Sequence, residues 1–296
     1  MKLGFETGYT EGYWGTWPWT TMYGGSEHIV VEVACALAQD HEVTVRLPYR
    51  TDERVWRGVR WVGLDHRPER YDRLFCFDDF AQRDRGDVEG LVACRSDPPQ
   101  HTEFDVLIFL SKHHARLMGF PDSPAVGGGV SLAEYAGSLP RVERRVICTS
   151  SPDRCKAAPV IGRSFDFVHS YRPVPGLPPT VELSRPELVQ LQRTARVLIY
   201  PYEPTRESDF FSMATLEALS AGTPVVISDG PSLVELWGDV ATVLPRPIDY
   251  GAWYEAIVEL MENKRLWKKR SDDGILLAAR YDWPQVARRY LDALTT

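Results

Sequence analysis

Apolar positions recur along this chain in two periods, and the alternation between them predicts the architecture. Residues 3–6 read as a short first strand, Val43, Val45 and Leu47 alternate as a second, and further apolar runs follow at 74–77, 91–93 and 104–110. Between the first two strands, Ile29, Val30, Val33, Ala34 and Leu37 recur at helical spacing behind Ser26, whose hydroxyl suits a helix N-cap. The second half repeats the scheme more cleanly, with strand-like runs at 146–149, 165–169, 197–200, 224–228 and 241–244 and helical patterns between most of them. Residues 249–294 read as terminal helices, the last opening after Trp283 with Pro284 in its first turn, where a missing N–H is tolerated. Strands alternating with helices imply βαβ units and parallel sheets covered on both faces, so two such series predict two Rossmann-like, doubly wound α/β domains. The expected boundary lies near residues 138–144, where Pro140 interrupts the chain. This gives a first domain over 1–140, a second over 141–280, and a last helix over 281–296 that returns toward the first.

Composition narrows the classes of function. The chain has 296 residues, enough for two cores at roughly 150 residues per domain. It carries 34 Lys plus Arg against 41 Asp plus Glu, a net charge of −7, and its one compact basic run spans residues 264–270. That balance argues against a protein that binds nucleic acid by neutralising phosphates. No apolar run reaches the length of a transmembrane helix, and the N-terminus shows no secretory leader, so a cytoplasmic protein is expected, with peripheral membrane contact left open. Five scattered cysteines, without Cys-x-x-Cys spacing, read as buried free thiols.

Several catalytic signatures are missing: a G-x-S-x-G elbow, a P-loop, an H-E-x-x-H zinc helix, a G-x-G-x-x-G loop and a D-x-D pair. The adjacent His113 and His114 read as a solvated helix face, and no metal site is expected. Three segments remain that can carry chemistry. In the first, Asp209, Phe210, Phe211 and Ser212 lead into a helix containing Glu217 and ending at Gly222. A loop breaking into a helix there presents free backbone N–H groups near Phe211, Ser212 and Met213 and the positive end of the macrodipole, which suit a diphosphate. In the second, the strand ending at Thr149 runs into Ser151, Pro152 and Arg154. Ser151 is placed to cap a helix, Pro152 to open it, and Arg154 to stand over its N-terminus. The third is Gly24, Gly25, Ser26 and Glu27, glycines before a helix that allow close backbone approach to a ligand.

Together these segments resemble glycosyltransferase family 4, enzymes of the two-domain GT-B fold. Asp209 and Glu217 are spaced like the family's E-x7-E pair, with Asp in place of the first Glu, and Glu217 to Val226 matches its E-A-x-x-x-G-x-P-V-V run. The Gly24 to Glu27 loop is similar to the family's G-G-x-E, and Gly129 and Val130 to its G-V-D segment. In the second segment Arg154 falls at the family's cationic Lys and Thr149 where its Arg stands, so Lys156, Arg163 or Arg206 is left to complete the clamp.

The resemblance implies a fold of two Rossmann-like domains facing a cleft. It also implies transfer of a sugar from a nucleotide-diphosphate donor to an acceptor hydroxyl, with retained configuration and without metal or other cofactor. Glu217 would hold the ribose, Asp209 or Glu207 would meet the transferred sugar, and Arg154 would stabilise the leaving diphosphate. Phe211, Ser212, Met213, Gly24, Gly25, Thr149 and Ser151 complete the donor site.

The loop over residues 9–23 is particular to this sequence. Its Tyr13, Trp14, Trp17 and Trp19 offer faces that stack on a sugar, glycan or lipid-linked acceptor, or that pack within the protein. A non-catalytic sugar-nucleotide or glycan-binding protein, or an epimerase on the same fold, is the alternative reading.

Overall fold

From Leu3 onward every residue of the first strand, β1 (Lys2–Thr7), is buried, as in a strand covered on both faces. The structure, a computed structural model, describes residues 1–7, 25–47, 53–63, 70–77, 86–94, 99, 103–204 and 207–295. Its contacts divide the chain into one unit of Met1–Gly129 with Trp283–Thr296 and a second of Val130–Asp282.

The first unit continues with α1 (Gly25–Leu37), β2 (Glu42–Leu47), β3 (Arg54–Trp56), β4 (Val59–Gly63), β5 (Arg73–Phe77), β6 (Glu89–Val92), β7 (Val106–Ile108) and α2 (Lys112–Leu117). Among the described residues these strands form a seven-stranded sheet in the order β3-β4-β2-β1-β5-β6-β7, parallel except for the β3–β4 hairpin. The hairpin was not anticipated. Its two-residue turn is Arg57 and Gly58, with φ of 49° and 78°, and Arg is not the Asn or Asp that usually marks such a turn. Ser26 lies inside α1 rather than ahead of it.

At the core, Phe5 stacks on Phe75 with ring centroids 4.8 Å apart. The last helix, α10 (Trp283–Ala293), buries Trp283, Val286, Ala287, Tyr290 and Ala293 on one stripe. It packs in this unit: Tyr290 donates to the Gly127 carbonyl at 2.8 Å, and a Cβ on Gly129 would stand 2.5 Å from the Trp283 ring.

The second unit holds α3 (Leu132–Tyr135), β8 (Arg145–Cys148), α4 (Ala158–Gly162), β9 (Asp166–His169), α5 (Arg185–Thr194), β10 (Val197–Tyr200) and α6 (Met213–Ser220). It continues with β11 (Val225–Ser228), α7 (Pro231–Trp237), β12 (Thr242–Leu244), α8 (Tyr250–Glu262) and α9 (Lys264–Ala278). Its five described strands are all parallel, in the order β12-β11-β10-β8-β9.

The division falls at Gly129 and Val130, ahead of the 138–144 stretch expected from Pro140. The reason is local: Val130 N–H donates to the Tyr281 carbonyl at 2.8 Å and Leu132 N–H to Asp282 at 3.3 Å, so the chain is tied to the second unit before Pro140.

Arg141 then staples this unit. Its guanidinium donates to the carbonyls of Ala221 at 2.6 Å and Ala195 at 3.1 Å and to the Thr223 hydroxyl at 2.7 Å, closing the C-terminal ends of α5 and α6. Among the described residues no helix is long and apolar enough to cross a membrane.

Candidate active site

The strand order of the second unit reverses between β8 and β10, and open α/β sheets bind ligands beyond the carboxyl ends of their strands at such a point. Two of the three segments singled out in the sequence lie there, one after each strand. After β8 no helix opens at Ser151; α4 begins at Ala158, with Pro159 in its first turn. The N–H groups of Arg154 and Cys155 both donate to the Ser151 carbonyl, at 3.1 and 3.2 Å, and close an isolated turn instead. The Ser151 hydroxyl bonds to Asp153 next to it and so caps nothing. Arg154 therefore stands on a turn, not over a helix. Its carbonyl accepts from Glu203 N–H at 3.3 Å, which ties the turn to the chain leaving β10. The Thr149 hydroxyl oxygen is buried with no hydrogen-bond partner.

After β10 the Asp209 carboxylate, 6% exposed, organises the loop. Its Oδ1 accepts the N–H groups of Phe211 at 3.2 Å and Ser212 at 2.7 Å, and its Oδ2 accepts the Tyr200 hydroxyl. Arg154 Nη1 stands 3.6 Å from that same Oδ2. The amides expected to be free at Phe211 and Ser212 are therefore taken, because a short carboxylate two residues upstream reaches both; α6 itself begins at Met213.

Ser212 adopts φ 59°, a left-handed conformation unusual outside glycine, and its hydroxyl accepts from Thr215 N–H at 3.4 Å. Tyr202 receives the N–H groups of Ser208 and Asp209 on its hydroxyl, at 2.7 and 2.9 Å. Beneath the loop Phe211 packs edge-on against Trp237, which donates to the Phe211 carbonyl at 2.9 Å.

The two remaining acids differ sharply in their surroundings. Glu207 is half-buried, and its Oε1 is buried with no hydrogen-bond partner. Glu217 is closed into a ring: Arg185 donates to its Oε1, Gln192 donates to its Oε2 at 2.9 Å, Tyr135 donates to Gln192 at 2.8 Å, and Arg185 reaches the Tyr135 hydroxyl at 3.3 Å. Arg185 also pairs with Glu134 at 2.7 Å.

Burial works against both arginines, but the carboxylates outweigh it. Asp209 first among its neighbours holds Arg154 above the ordinary arginine value, and Glu217 does the same for Arg185. Burial, followed by the Asp209 charge, pushes the Tyr200 phenol well up, so it stays a proton donor.

Other residues expected in the site belong to the first unit, are exposed, or lie outside the described residues. Gly25 is the first residue of α1, in the other unit, while Gly24, Tyr13, Trp14, Trp17, Trp19 and Arg206 lie outside the described residues. Lys156 and Arg163 are exposed. His114 is buried rather than solvated: its ring packs edge-on against Phe109 and accepts from Leu110 N–H at 3.5 Å. All five cysteines are free, four of them buried. Among the described residues no group of three or more His, Cys, Asp or Glu is gathered as metal ligands.

Tyr200, Tyr202, Arg185 and Gln192 were not singled out in the sequence. Their signals were present but unspecific: Tyr200 and Tyr202 two residues apart share a side of an extended chain, and Ser184 with Glu187 forms a capping box that sets Arg185 at the start of α5.

Solved structures share the fold. The structure is similar to sucrose-phosphate synthase from Thermosynechococcus elongatus, with a TM-score of 0.71 and 14% identity over 98% of this chain and 97% of that one. It is similar to AviGT4, a glycosyltransferase involved in avilamycin A biosynthesis, with a TM-score of 0.74 and 15% identity over 99% and 97%. It is also similar to Anabaena Alr3699/HepE, solved in complex with UDP-glucose, with a TM-score of 0.65 and 11% identity over 100% and 99%. These likenesses show the fold, the two Rossmann-like domains of GT-B enzymes. Within this chain, residues 175–263, which include α5, β10 and α6, match the model of the glycosyl transferases group 1 family. No curated protein matches the sequence.

Proposed function

We propose that this chain moves a sugar from a nucleotide-diphosphate sugar to an acceptor hydroxyl, with retained configuration and without a metal, in the manner of glycosyltransferase family 4. The observation that carries the reading is the meeting of Arg154 with Asp209, in the loop ahead of α6, where the strand order reverses between β8 and β10. A guanidinium at that point stabilises the charge that develops on a departing diphosphate, the task a divalent cation performs in metal-dependent transferases. The group 1 segment and the UDP-glucose complex of a structure with the same fold support a nucleotide sugar as donor.

In this reading Arg154 binds the diphosphate and Thr149 and Ser151 line its approach. Glu207 accepts from a hydroxyl of the transferred sugar through its unpartnered oxygen. Glu217 meets the ribose by sharing oxygens that Arg185 and Gln192 hold in place. The first unit takes the acceptor, a sugar, glycan or lipid-linked hydroxyl. Free thiols at all five cysteines are in keeping with a reducing cytoplasm.

The test is release of free nucleotide diphosphate from UDP-, GDP-, ADP- and dTDP-sugars, with and without EDTA, in the presence of simple sugar acceptors. Release from one donor that survives EDTA is expected. Binding of a donor with no release in the presence of any acceptor would favour a sugar-nucleotide-binding protein instead.

A further inference from the structure

We propose that Tyr200 and Tyr202 are positioning residues for Arg154, fixing the Asp209 carboxylate so that the guanidinium is aimed at the donor diphosphate rather than collapsed onto its own counter-ion. The inference rests on the donor site proposed above and assigns Asp209 to positioning, leaving Glu207 as the acid that faces the sugar.

Three observations carry it. First, both phenols are fully buried, with rings stacked at 5.8 Å and 16°. Phenylalanine would fill that space equally well, and a buried hydroxyl is unfavourable unless it is bonded. Each hydroxyl is bonded to the same short loop: Tyr202 accepts from Ser208 and Asp209 N–H, and Tyr200 donates to Asp209 Oδ2.

Second, Asp209 has no idle oxygen. Oδ1 takes two amides and Oδ2 takes the Tyr200 hydroxyl, so this carboxylate is built into the loop and is poorly placed to accept from a sugar.

Third, the 3.6 Å separation of Arg154 Nη1 from Oδ2 exceeds the 2.7–2.9 Å of a direct charge-assisted hydrogen bond. The charge orients the guanidinium while its N–H groups stay available to an oxyanion. The Tyr200 hydroxyl occupies the oxygen that Arg154 would otherwise seize. Removing that hydroxyl frees Oδ2 to draw the guanidinium in and away from the ligand.

The experiment uses inorganic pyrophosphate and UDP as probes, with affinities measured calorimetrically for the full chain and for Arg154→Ala, Tyr200→Phe, Tyr202→Phe and the Arg154→Ala/Tyr200→Phe double variant. Arg154→Ala is expected to weaken pyrophosphate by about tenfold, and Tyr200→Phe by about threefold. In the Arg154→Ala background Tyr200→Phe is expected to have no further effect, which a merely structural role would not produce. Melting temperatures of the single variants establish that each is folded.

An unchanged affinity in Tyr200→Phe beside a weakened Arg154→Ala would overturn the positioning role and leave the donor site standing. Equal effects of Tyr200→Phe with and without Arg154 would overturn it in the same way. Failure of the wild-type chain to bind either probe, or binding indifferent to Arg154, would overturn the donor-site reading and this inference with it.

Discussion

Arg154 and Asp209 lie on different loops, 55 positions apart in sequence, and meet at 3.6 Å where two parallel strands end. Their pairing fixes what each can do. Asp209 serves the loop as well as the arginine, so its removal should act on stability before chemistry. Asp209→Ala strands the Tyr200 hydroxyl and the amides of Phe211 and Ser212. A loss of about 3 kcal/mol is expected in urea unfolding of the second unit. Asp209→Asn keeps an acceptor in place and should lose less than half of that.

Arg185 and Glu217 make the corresponding prediction on the other side of α6. Arg185 is part-exposed but Glu217 is buried, so removing Arg185 leaves a buried charge uncompensated. Arg185→Met should therefore destabilise by about 3 kcal/mol, whereas Arg185→Lys, which keeps a charge near Glu217, should lose less. Thermal melts of both variants against wild type decide the order.

In the first unit the expected signature is pH dependence. Glu6 is fully buried beside Arg46 at 2.9 Å; burial raises its pKa from 4.5 to about 7, Arg46 opposes this, and the Glu89 charge adds to it. The acid is favoured neutral in the folded state, so its contribution is complete below about pH 4.5 and is lost as pH rises through about 7. The loss across that window is about 3 kcal/mol. Urea unfolding at a series of pH values should show it, and Glu6→Gln should flatten the slope even though it lowers stability throughout.

Ser212 offers a test of local strain. Its φ of 59° disfavours any side chain, while its hydroxyl bonds Thr215. Ser212→Gly relieves the first and loses the second, so a change within about 0.5 kcal/mol is expected. Ser212→Ala keeps the strain and loses the cap, and should cost about 1 kcal/mol. A more stable Ala than Gly variant would contradict the assignment.

Much of the fold was legible from period alone. Strands buried on both faces, such as β8 from Val146 and β10, show as short unbroken apolar runs, and α10 shows as a single stripe from Trp283 to Ala293. The β3–β4 hairpin was not, because its turn adopts positive φ at Arg57, a residue that carries no turn signal.

The site was half legible. Arg154, Asp209, Glu207 and Glu217 stand out by type and spacing, but what each touches does not. The Asp209 carboxylate folds back onto amides two and three residues ahead, and Glu217 meets Arg185 and Gln192 from α5. Such partners are set by how α5 and β10 lie beside α6, not by any local pattern. Likewise His114 looks solvated beside His113, yet helix α2 turns that one ring inward against Phe109.

The central claim is that the arginine after β8 stabilises a leaving diphosphate. It is tested most directly by comparing turnover of Arg154→Ala and wild type on whichever nucleotide sugar the wild-type chain consumes. The account predicts that kcat falls by about 10²–10³, the loss typical of one preorganised charge-stabilising donor. Donor affinity should weaken by no more than about tenfold. An Arg154→Ala enzyme that turns over at the wild-type rate would contradict it.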